Sequence, residues 1–232
     1  MRINEANYDA CFFAEDQLPD DFTRRLDQSI IDVFEQGKAY FLVEIESLFP
    51  EIHNFFKHET TDLFLVRNDL GSRPIFNWAF ESEHFNIYSS VPRTNRKLKQ
   101  MRSERAHFNS LPNYLKPFYF IFNGLDLTHE FHLHPHQGGF LSAFSNWYDL
   151  DILTQYSQNQ TGIDSMKQKF KEGDIRVIAR GFDDEVLLLD IKRGGSLYVA
   201  QWGDFTEIKQ LLDPRDYLTR MFFKSVDHLR RI

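Results

Sequence analysis

Apolar positions recur at helical spacing through Phe22, Leu26, Ile30, Val33 and Phe34, between the capping-type Asp20 and the helix-ending Gly37. That pattern predicts a first helix. Residues 40–45 form a β-rich apolar run, and residues 50–56 suit a short helix. Residues 63–66 read as a strand that closes on the turn signal Asn68-Asp69-Leu70-Gly71. Residues 75–80 and 85–88 then predict a hairpin across Glu81-Ser82-Glu83. The first part of the chain is therefore expected to hold a helix and several strands.

The pattern breaks between Ser89 and Asn109, where apolar residues thin out and Arg93, Arg96, Lys97, Lys99, Arg102 and Arg105 accumulate. A domain boundary is expected near Pro92, separating an N-terminal α+β segment, 1–92, from a second domain, 93–232. Several of these basic residues lie three apart. On a helix a step of three falls ~60° short of a full rotation. They would wrap around the helix instead of forming one face, as suits a solvated helix or linker.

Beyond Asp174 the pattern is cleaner. Residues 175–180 alternate, with Ile175, Val177 and Ala179 expected on one face. After the turn at Gly181-Phe182-Asp183-Asp184, Val186 and Leu188 oppose Leu187, Leu189 and Ile191. A strand apolar on both faces is normally covered on both. Arg193-Gly194-Gly195-Ser196 leads into a third strand over 197–202, giving a three-stranded antiparallel meander. The last helix has Asp213 as N-cap, Pro214 at the first helical position and Asp216 at the positive helix start. Its stripe of Tyr217, Leu218, Met221, Phe222, Ser225 and Leu229 should pack on the meander.

Composition sharpens this picture in three ways. The chain contains 24 Phe, and each large aromatic side chain buries roughly 150–250 Å², so an aromatic core is expected. The net charge of −7 disfavours nucleic acid as the main partner, because binders of phosphate backbones carry positive patches in basic domains. It suits a basic protein partner. The single cysteine, Cys11, excludes an intrachain disulfide and points to a reducing compartment. With no apolar leader at the start and no run approaching ~20 apolar residues, the expected location is cytoplasmic. The glycosylation-type triplet Asn159-Gln160-Thr161 would then stay unmodified.

The sharpest catalytic pattern is His129-Glu130-Phe131-His132-Leu133-His134-Pro135-His136. On a strand His132, His134 and His136 would point the same way, as in the first part of a cupin metal motif. No carboxylate follows at the required distance, and Pro135 interrupts strand pairing. A polar loop or edge strand is the expectation, with no metal and no cofactor. Phosphate-loop, dinucleotide, Gly-x-Ser-x-Gly and Cys-x-x-Cys patterns are missing from the sequence.

Leu111-Pro112, Tyr114, Phe118, Tyr119 and Phe122-Asn123-Gly124 resemble the opening motif of SUKH domains. A second block runs from Val177-Ile178-Ala179 through the Gly181–Asp184 turn, Glu185 to Asp190, the Lys192–Gly195 turn and Leu197 to Trp202. It closes on Leu212-Asp213 and the helix with Tyr217 and Leu218. The resemblance covers roughly residues 94–232, apart from residues 125–173. Pro117 falls inside the motif's short helix, which is then expected to start there.

The resemblance implies an α+β fold with an antiparallel sheet backed by helices. It also implies a non-catalytic binding role, commonly neutralisation of a bacterial toxin. Two alternatives stand beside it: a regulatory or scaffolding module, and a metal-dependent enzyme using His132, His134 and His136. The expected contact is an acidic set at the meander's turns, Asp183, Asp184, Glu185, Asp204 and Glu207, facing a basic surface of the toxin.

Overall fold

The computed structural model describes residues 10–13, 39, 41–68, 75–82, 86–90, 108–120, 124–128, 140–141, 159–171, 173–181 and 183–231. The helix expected over 20–37, the basic stretch from Arg93 to Arg105 and the histidine run 129–136 lie outside these residues. So do residues 69–71 of the first expected turn.

The chain enters the described structure through strand β1 (Ala10–Phe13). Residues 41–48 form helix α1, where a β-rich run was expected. Phe41, Val43 and Ile45 alternate as well as they repeat, so the local pattern suits either period. Burial decides between them: Phe41, Ile45, Phe49 and Ile52, three or four residues apart, are all essentially inaccessible, while Val43 faces out at 64% exposure. Helix α2 (Pro50–His58) follows at once. Pro50 has no N–H to donate, and Phe49 leaves helical geometry at φ −142°, ψ 68°, which separates the two helices.

Strands β2 (Thr60–Asn68), β3 (Ile75–Ser82) and β4 (Asn86–Ser90) continue from α2. They form an antiparallel sheet in the order β1-β2-β3-β4-β5, whose last member is β5 (Asp126–Thr128). The expected hairpin is present, with Phe80 opposite Ile87. Between β4 and β5 lies the short helix α3 (Lys116–Phe120), which begins one residue before Pro117. Gly124, at φ 97°, donates its N–H to the Phe118 carbonyl at 2.8 Å. This closes the helix with a left-handed residue, a position that favours glycine.

Helix α4 (Gln160–Lys169) precedes the second sheet. Its strands β6 (Ile175–Arg180), β7 (Glu185–Asp190), β8 (Ser196–Gln201) and the short β9 (Lys209–Gln210) pair antiparallel in that order. The expected meander is therefore extended by a fourth strand. One detail of it is corrected. The β6–β7 register shifts between Val177 and Ala179, and this bulge turns Ala179 away from Ile175 and Val177 to the opposite face. An extra residue in one strand reverses the alternation beyond it.

Strand β7 is covered on both faces, as its sequence requires. Leu187 and Leu189 enter the larger core, and Val186 and Leu188 enter a smaller one with Met166, Phe170, Tyr198 and Phe205. Asp190, 1% exposed, accepts from the N–H groups of Lys192 and Arg193 at 3.0 and 2.9 Å, so its buried carboxylate organises the next turn.

Helix α5 (Pro214–Leu229) ends the fold, and Asp213 caps it by accepting from the Asp216 N–H at 3.1 Å. Leu218, Met221, Phe222, Ser225, Val226 and Leu229 are its buried face. Tyr217 is only half-buried, and Val226 joins the expected stripe. The Ser225 hydroxyl donates to the Met221 carbonyl at 2.9 Å, which satisfies it inside the core.

The larger core is aromatic. The Phe222 ring lies 5.2 Å from Phe55, 5.8 Å from Phe56 and 5.3 Å from Phe140. Phe118 meets Phe41, Phe49 and Phe140 at 5.4–5.7 Å, edge to face. Residues on both sides of Pro92 thus contribute to one core. Helices and antiparallel sheets together make the fold α+β.

Candidate functional site

The second sheet brings its acidic turn residues to one end. The N–H of Gly181 donates to the Glu185 carbonyl at 2.7 Å, and that of Asp184 donates back to the Gly181 carbonyl at 3.2 Å. This tightens the β6–β7 turn, where Asp184 adopts φ 63°, a left-handed position that aspartate tolerates better than most residues. The turn is then joined to the end of β8. Trp202 donates its N–H to the Asp184 carbonyl at 2.7 Å, and the Gln201 side chain donates to the Asp183 carbonyl at 2.9 Å. Asp204 follows two residues after Trp202, so Asp183, Asp184, Glu185 and Asp204 share this end of the sheet.

Basic and polar groups hold each carboxylate in place. Arg180 donates through Nε to Asp184 at 3.1 Å, and its guanidinium lies 4.7 Å from the centre of the Trp202 ring. Lys224 on α5 pairs with Asp183 and lies 3.6 Å from Glu185. The Tyr217 hydroxyl donates to Glu185 at 3.2 Å. Asp204 accepts from the Asn159 amide at 2.6 Å and from the Thr206 hydroxyl at 2.9 Å. Glu207 pairs with Lys209 at 2.8 Å.

Exposure divides the set. The side chains of Glu207 and Asp184 remain 76% and 54% accessible, against 37% and 36% for Asp183 and Glu185. The first two, although paired with Arg180 and Lys209, keep most of their surface open to solvent, while the second two clamp α5 to the turn.

Proton affinities follow from these contacts. Partial burial works against ionised Asp183, but the hydrogen bond and charge of Lys224, helped by backbone donors, hold its carboxyl below the ordinary range. Bonding to Asp183 raises Lys224 in turn. The contact with Lys209 lowers Glu207 and raises Lys209. Burial, reinforced by the negative charge of Glu185, raises the Tyr217 phenol. Tyr114, away from this end, is raised to about 12 by burial.

The sequence singled out all five acidic residues but neither Lys224 nor Tyr217 as their partners. The legible signal was spacing. Tyr217 and Lys224 stand seven apart, two helical turns, and so share the side of α5 that meets the turn. Cys11 sits in β1 with its Cα opposite that of Arg67. Among the described residues no group of three His, Cys, Asp or Glu side chains is arranged to hold a metal ion, and no helix is long and apolar enough to cross a membrane. His132, His134 and His136 lie outside those residues.

Comparison with known proteins adds no relative: no family model, curated protein or solved structure matches the chain.

Proposed function

We propose that the chain is a non-catalytic binding protein whose acidic sheet end docks on a basic surface of another protein. The observation that carries this reading is the junction of the two turns. The Trp202-to-Asp184 and Gln201-to-Asp183 hydrogen bonds make one continuous surface from residues far apart in sequence. On it, Asp183, Asp184, Glu185, Asp204 and Glu207 outnumber Arg180, Lys209 and Lys224. Half-buried Trp202 and Arg180 add the residue types that anchor interfaces. The resemblance of residues 94–232 to SUKH domains makes a bacterial toxin the expected partner, so the role would be that of an immunity protein.

Two arms test this reading. The product of the neighbouring reading frame is expressed with and without the chain, and growth is followed. Association with the purified product is then measured at two ionic strengths for the wild type and for Asp184→Asn/Glu207→Gln. These two exposed carboxylates can be neutralised without loosening the clamp on α5. Rim charges act mainly on association, so the variant is expected to associate more slowly at low salt and to respond less to added salt. Growth without protection would remove the immunity role. Wild-type kinetics and salt response in the variant would remove this sheet end as the contact.

A further inference from the structure

We draw no further inference here: the strongest candidate, the surface patch where Leu212, 97% exposed, follows the short edge strand β9 of the second sheet, carries nothing, because nothing in the structure shows what covers it.

Discussion

Asp183 and Lys224 show how little energy a functional-looking charge pair needs to contribute. Both side chains are substantially exposed, at 37% and 60%, and such pairs contribute at most ~1 kcal/mol. The shifts still define a pH window. The depressed Asp183 pKa means its stabilisation is present above the ordinary aspartate value of about 3.9 and is lost as pH falls through the lower, folded value. The raised Lys224 pKa means its stabilisation is complete below about 10.4 and is lost as pH rises past the folded value. Lys224→Met should therefore lower stability at pH 7 by up to ~1 kcal/mol. The difference should shrink as pH falls below the ordinary aspartate value and on through the lower folded value of Asp183. Urea unfolding of both proteins at neutral pH and across the acid range measures this. A gap that persists in acid would assign the loss to packing of the lysine stem.

Glycines set the joints between elements, and the structure ranks them. Gly194 and Gly195 both have positive φ, 68° and 78°. A Cβ on Gly194 meets nothing within 4 Å, whereas one on Gly195 stands 2.8 Å from Pro112 Cδ and 3.1 Å from the Ser110 carbonyl. Gly194→Ala should cost only the conformational penalty of about 1–2 kcal/mol, and Gly195→Ala distinctly more. Gly162→Ala should also cost more, although its φ is not positive, because its Cβ would overlap the Asp204 carbonyl and push α4 off the turn. Thermal melting of the three variants orders them, and a Gly195→Ala loss equal to that of Gly194→Ala would mean that the Pro112 contact gives way freely. The turn at Gly194-Gly195 was legible in the sequence, but the ranking of these glycines was not, since only the neighbouring atoms reveal it. The elements themselves were legible where a local signal was unambiguous. Asp213-Pro214 announced α5, and the two apolar faces of β7 announced a sheet covered on both sides. Helix α1 has no such signal, because Phe41, Val43 and Ile45 fit both periods until Phe118 and Phe56 supply a surface for one of them. The bulge in β6 had no local mark. At the acidic end the charges were readable, but their partners Tyr217 and Lys224 come from more than thirty residues away.

Across the whole molecule, the aromatic core decides what can fold alone. Phe41, Ile45, Phe49, Ile52, Phe55 and Phe56 are all at most 3% exposed, and their neighbours include Phe118 and Phe222, far along the chain. A fragment of residues 93–232, on the C-terminal side of the expected boundary, would lose this side of the core. Fully burying a side chain of this kind contributes roughly 1.5–3 kcal/mol. Losing even four of these six would remove about 6–12 kcal/mol from a domain whose whole stability is about 5–15 kcal/mol. The fragment is therefore expected to unfold without a cooperative transition and to bind a hydrophobic dye, while keeping part of its far-ultraviolet dichroism, as loosely packed compact states do. Phe222→Ala in the full chain should act in the same direction, costing about 3–5 kcal/mol while leaving a cooperative melt. Calorimetry and near-ultraviolet dichroism of the fragment, the variant and the full chain separate these outcomes. A fragment with its own sharp melt and native near-ultraviolet signal would show that 93–232 folds without α1 and α2. Those helices would then be a cover laid over a finished domain. A fragment that regains its melt only when a peptide of residues 39–59 is added would show that the two helices complete the core from the other side of Pro92.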